Sequence, residues 1–227
     1  MITVILRFNS GEDADLNFVV YTHNVHFRHR VALSSAIVGY LVLAGGIYAS
    51  YLVWPDFQPL SQTFSSLAAL NAPTRSMVTA VMVTVGVCQL VIAWGFQLAK
   101  TYGRLLIGSS GIAVFGVAAF PVPEIFADSN VHTFMAGVVL ISMCLWPIFS
   151  IHHHHLAPWM LSTRGAWTVT VAQAVVGLVF LAAWLVNHRL TGLLEMLLLS
   201  TQSAIVILAT YFSTRNIARH AKNSVSN

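Results

Sequence analysis

Six apolar stretches on the length scale of a bilayer-crossing helix divide this chain. A hydrocarbon core about 30 Å thick needs about 20 apolar residues per helical span. Within it, only helices and closed barrels satisfy their own backbone polar groups. The stretches run from about Val31 to Trp54, Arg75 to Ala99, Leu105 to Phe120, Val131 to Ile151, Gly165 to Val186 and Thr191 to Phe212. Charged residues make up 8% of the chain, against roughly 25% in a soluble domain. The expected fold is therefore all-α: a polytopic membrane protein built as a bundle of six transmembrane helices. Its 227 residues suit one such bundle. We divide them into a cytoplasmic or interfacial N-terminal segment (1–30), the six-helix domain (31–213) and a cytoplasmic tail (214–227) expected to fray.

Orientation follows from lysine and arginine, which concentrate in cytoplasmic loops. Arg7, Arg28, Arg30, Lys100, Arg104, Arg164, Arg215, Arg219 and Lys222 fall on one side, and only Arg75 and Arg189 on the other. Both termini are thus expected in the cytoplasm, as an even number of spans requires, and the chain in the cell membrane. The same distribution explains the net charge of +4 without nucleic acid as a partner. Membrane lipids are the expected surroundings, with a protein partner or a second copy as further candidates. Cys88 and Cys144 lie within apolar runs and read as small buried side chains.

With this topology Asp56, Glu124, Asp128 and Glu195 all fall at the outer face, together with His132, His188 and the hydroxyl-rich run Leu60–Leu67. Nucleophilic catalysis needs a hydroxyl, a base within reach and a group that orients the base. Ser61 or Ser65 is the candidate nucleophile, His132 the base, and Glu124 or Glu195 the orienting carboxylate. His132 stands one turn into its span, where Ser129 or Asp128 could cap the helix. Glu195 stands one turn into the last span, where an ionisable group is costly unless paired. No cofactor is expected. A divalent metal is the weaker alternative, on Glu124, Asp128 and His132, which are spaced four apart. That spacing aligns them only on a helix, and Pro121 and Pro123 argue for a loop. The run His152–His155 points around a helix in all directions and reads as an interfacial anchor. Gln89, Gln173 and Gln202 read as interhelical hydrogen-bonding groups.

The stretch Pro59-Leu60-Ser61-Gln62-Thr63-Phe64-Ser65-Ser66-Leu67, closing at Asn71-Ala72-Pro73-Thr74, resembles the first outer loop of the family called domain of unknown function 998. Phe120-Pro121 followed by acids and then Val131-His132, and Gly192-Leu193-Leu194-Glu195 opening the last span, are similar to two further pieces of that family. The resemblance covers about residues 32–213. It implies six spans in a bacterial or archaeal membrane and no defined reaction. Two positions depart: Val122-Pro123-Glu124 replaces the family's usual acid position, and Met196 stands where a base is common, leaving Glu195 without that partner. A looser likeness of architecture links the chain to six-span eukaryotic hydrolases that use a threonine and a histidine on lipid esters. Three functions follow in order of expectation: a polar outer-face site that binds or hydrolyses a lipid-like substrate, a non-catalytic subunit or scaffold, and a small transporter.

Overall fold

The computed structural model describes residues 12–124, 129–153, 156–186 and 188–225. It contains six long helices: α1 Glu12–Val53, α2 Arg75–Gly95, α3 Thr101–Ala119, α4 Asn130–Phe149, α5 Thr163–Val186 and α6 Thr191–Val225. Each carries a segment long and apolar enough to cross a membrane, and no strand occurs among the described residues. The chain is a multi-pass membrane protein.

Two helices outrun the bilayer. α1 has 42 residues, about 63 Å at 1.5 Å per residue, and its apolar part is Asn24–Val53. The N-terminal segment before residue 31 is continuous with the first span as helix from Glu12. Likewise, α6 continues to Val225 where fraying was expected. Met1–Phe8 and Arg7 lie outside the described residues. Both long helices project at the bundle end that carries the termini, the α2–α3 loop and the α4–α5 loop. We call this the basic end, and the opposite one the loop end.

The helices pack in chain order, and α6 returns to α1, so the bundle closes as a ring. Lipid tails are as apolar as leucine, so close packing and hydrogen bonds must hold such helices together. Gly86 and Gly111 supply the closest approach of α2 to α3: a methyl on either would meet the other's carbonyl oxygen at about 3 Å. In α1 it is Gly46, against Val81 of α2, that forms the seam, while Gly45 faces open space. Ser50, fully buried, returns its hydroxyl to the Gly46 carbonyl at 2.7 Å.

Two large buried clusters pack at the two ends of the ring. Phe96, Ile107, Trp146, Leu161, Val206 and Ala209 belong to the one at the basic end. Leu43, Phe57, Phe64, Leu67, Val78 and Val81 belong to the one at the loop end. His29 is fully buried in the first region, its Nε2 accepting the Leu98 N–H at 3.2 Å. Arg104 caps the end of α2 there, donating to the carbonyls of Ala93 (2.6 Å) and Trp94 (3.1 Å). His152 and His153 follow α4 as non-helical chain. Burial, then Lys100 and His153, hold His152 below its ordinary pKa, against the positive charge that the end of α4 would favour. His154 and His155 lie outside the described residues.

Candidate functional site

The loop between α1 and α2 is a folded lid. It begins with Phe57 stacked on Tyr51 at 5.5 Å. Gln62 is buried and accepts the Gln58 N–H on its Oε1 at 2.8 Å. A short 3₁₀ helix follows over Phe64–Ala68. The Thr74 hydroxyl then closes the turn by donating to the Leu67 carbonyl at 2.7 Å. Hydroxyl and amide side chains cluster in this stretch because so compact a turn leaves backbone groups to be satisfied locally.

Three bonds clamp the lid to the rest of the loop end. Leu70 N–H donates to the Val122 carbonyl (3.1 Å), tying it to the α3–α4 loop. Leu193 N–H donates to the Leu60 carbonyl (3.3 Å). Phe64 N–H donates to Glu195 Oε2 at 2.6 Å. The N-terminus of α6 comes in close because residue 192 is glycine: a methyl there would overlap the carbonyl oxygens of Gln62 and Pro59.

Beneath the lid lies a cavity of about 500 Å³ to which all six helices contribute. Ser61, Thr63, Ser65, His132, Thr191 and Glu195 supply polar groups at its mouth. Its walls are apolar, with Val85 and Met82 from α2, Val114 and Val117 from α3, and Leu199 from α6. Gln89, Gln202 and Met143 mark its deep end. From His132 to Met143 along α4, 11 residues give a depth of about 16 Å. Below that level the basic-end cluster, which includes Met143 itself, fills the ring.

His132 is 4% exposed. Its Nδ1 lies 2.9 Å from the Phe120 carbonyl oxygen. A carbonyl can only accept, so Nδ1 carries the hydrogen, and in the neutral ring the lone pair resides on Nε2. This contact of the ring is with a backbone carbonyl. Glu195 holds the lid through Phe64. Ser129 occupies the N-cap position of α4 without a capping side-chain bond.

The candidate residues separate clearly. Ser61, Ser65, His132 and Glu195 line the one cavity. Glu124 is exposed, in a bend outside the cavity lining, and Asp56 is exposed as well. Asp128 and the His188 side chain lie outside the described residues. Glu124 and His132, eight residues apart, share no helix, because Glu124 lies in a bend and α4 begins at Asn130. Among the described residues no group of three or more His, Cys, Asp or Glu is placed to hold a metal. The Ser61 hydroxyl donates to Gln58 Oε1 at 3.4 Å, whereas the half-buried Ser65 hydroxyl makes none of the lid's hydrogen bonds. Of the amides, Gln202 donates across to the Leu140 carbonyl at 3.3 Å. Gln173 is buried with neither amide atom bonded to a described residue.

Several participants were not singled out from sequence. The Phe120 carbonyl is backbone and leaves no side-chain signal. Thr133, Thr191 and Gly137 line the cavity but look like ordinary residues of apolar spans.

The family model for proteins of unknown function DUF998 matches residues 37–211, more than half of the chain. The chain belongs to the DUF998 family. The matched region takes in the lid, the cavity, the whole of α2 to α5 and part of α1 and α6. No match was found among curated proteins or among solved structures, so the geometry of this DUF998 chain carries the functional argument alone.

Proposed function

We propose that this DUF998 protein binds a lipid-like substrate in the cavity, its polar head at Ser61, Thr63, Ser65, His132 and Glu195 and its apolar part against the walls below. One observation carries the reading: a polar mouth and apolar walls belong to a single cavity of about 500 Å³, within the range of small-molecule sites. The Glu195 carboxylate, with one oxygen on the Phe64 amide, suits a hydroxyl or cationic group of the head. Native mass spectrometry of the purified protein is expected to show one amphiphile retained per chain. Ala136→Phe, which fills the cavity wall, should lower that occupancy at least tenfold without loss of the fold. Equal retention in both proteins would exclude the cavity as the binding place.

A specific observation extends this to hydrolysis: the Phe120 carbonyl fixes the tautomer in which His132 Nε2 is the basic atom. In the proposed reaction Nε2 takes the proton of Ser65 Oγ as that oxygen attacks an ester carbonyl carbon. His132 returns the proton to the departing alcohol, leaving an acyl-serine. Water then attacks the acyl carbon, again losing its proton to His132, and releases the acid while Ser65 regains its hydrogen. Ser65 is preferred to Ser61 because the Ser61 hydroxyl is engaged with Gln58. If lipid is retained but never cleaved, the protein is a non-catalytic lipid-binding subunit.

We further propose that the basic end faces the cytoplasm of the cell membrane, on the strength of the lysines and arginines gathered there. A C-terminal reporter that is active only in the cytoplasm should be active, and one that needs export should be silent. The reverse pattern would invert the topology and place the lid inside.

A further inference from the structure

We propose that the cavity fills from the side, through a gap between α4 and α5, and that its ligand is a single-chain amphiphile dissolved in the lid-side leaflet. This rests on the lipid-binding reading above and names the ligand class and its route. The starting observation is how unevenly α5 packs. Its buried residues are Gly165, Ala166, Val169, Thr170 and Gln173. From Ala174 to Val186 none is buried. The flanking helices differ at the same level: α4 buries His132 and Val139, and α6 buries Thr191 and Leu198. The contact of α4 with α5 through Cys144, whose thiol faces the Thr170 carbonyl at 3.7 Å, lies in the basic-end half. Toward the loop end α5 stands away from the ring.

The cavity reaches the surface there. Phe180, Leu181 and Trp184 of α5 line it, yet Leu181 is 44% exposed. One layer of side chains therefore separates the interior from lipid. Across the gap Thr133 is both exposed and part of the lining. Gly137, also in the lining, has nothing within 4 Å of where a methyl would stand. On α5, Gly177 has similarly open space beside it. At the mouth, in contrast, the lid is held to α6 and to the α3–α4 loop by backbone bonds. The weakly packed wall is the α5 side, and small lateral motions of such a helix half cost few contacts.

Volume selects the ligand. A water-sized group occupies about 30 Å³, and a methylene is of similar size, so a cavity of about 500 Å³ takes one acyl chain with a small head. Two chains exceed it. A fatty-acyl amphiphile of about 16 heavy atoms meets this limit, as does the acyl chain of a lysophospholipid whose phosphate head stays outside the mouth, and both partition into the leaflet from which the gap opens.

The test is photo-crosslinking in proteoliposomes with a 1-acyl lysophospholipid carrying a diazirine near the chain end, the labelled residues being mapped by mass spectrometry. In the wild type the label is expected on Gly137–Met143 and Leu199–Ser203, competed by excess unlabelled lysophospholipid. A diacyl probe should mark only outward residues such as Leu178. Gly137→Phe, which plugs the gap, should cut cavity labelling at least tenfold, and Leu181→Ala, which thins the wall, should speed it about threefold or more. If Gly137→Phe destabilises the fold, the Leu181→Ala rate decides. Cavity labelling indifferent to both substitutions would overturn the lateral route while leaving the binding site standing. Equal cavity labelling by the diacyl probe would overturn the single-chain assignment. No cavity labelling by either probe would overturn the route and the binding reading together.

Discussion

Gly192→Val is expected to loosen the lid and cost about 2–3 kcal/mol of stability, the scale of a forced overpacking. The side chain would overlap two backbone carbonyl oxygens, those of Gln62 and Pro59. Backbone cannot rotate aside as a side chain can, so the lid or the start of α6 must move. Either motion strains the Leu193–Leu60 bond next to it and the Phe64–Glu195 bond one turn further on. An intramolecular hydrogen bond contributes about 0.5–1.5 kcal/mol, so its loss is part of the cost. Gly137→Ala is the matched control. It adds a methyl into open space and replaces a helix-interior glycine, which should leave stability unchanged or raise it by up to about 1 kcal/mol. Thermal unfolding in detergent compares the two. A Gly192→Val protein as stable as wild type would mean that the lid does not sit against α6 in this way.

His132→Ala carries the second large expectation, a fall of about 10²- to 10⁴-fold in hydrolysis of a lysophospholipid-like ester, the usual contribution of a general base. Labelling by a serine-reactive fluorophosphonate should drop in parallel. Ser65→Ala should abolish that labelling, and Ser61→Ala should leave most of it. His132 also bridges to the Phe120 carbonyl, so its loss carries a structural cost as well. Ser65→Ala separates the two effects, because that hydroxyl takes no part in the lid's hydrogen bonds. Catalytic labelling lost with folding intact is the expected result for Ser65→Ala. Unchanged labelling in both Ser65→Ala and His132→Ala would remove the hydrolytic reading and leave binding alone.

The fold was legible because the bilayer imposes a simple code. A long apolar run without charges must become a helix, and six such runs became α1 to α6 with ends within a few residues of those expected, apart from the two extensions. The extensions were missed because the residues before Val31 are mixed and those after Phe212 mostly polar, and hydropathy reports burial in lipid and says little about helicity in water. At the candidate site the sequence drew Ser61, Ser65, His132 and Glu195 toward one face, since polar residues at the edges of apolar runs stand out. It could not separate Glu124 from Glu195. Both are acids at the same boundary, and only the packing of Gly192 against the lid turns one of them inward. The Phe120 contact of His132 was hidden more deeply, being with a main-chain oxygen. Nor could sequence show the stand-off of α5, whose loop-end half is as apolar as a packed helix because lipid, too, accepts apolar side chains.

Direct imaging of the cavity tests the central claim most closely. A cryo-electron microscopy map of the protein purified from its native membrane into nanodiscs is expected to show one elongated density within the ring. Its head should contact Ser65, His132 and Glu195, and its tail should run between α4 and α6 to the level of Met143 and Gln202. A cavity holding only separate water peaks, or closed by its own side chains while lipid density stays on the outer surface of the bundle, would contradict a lipid-binding function.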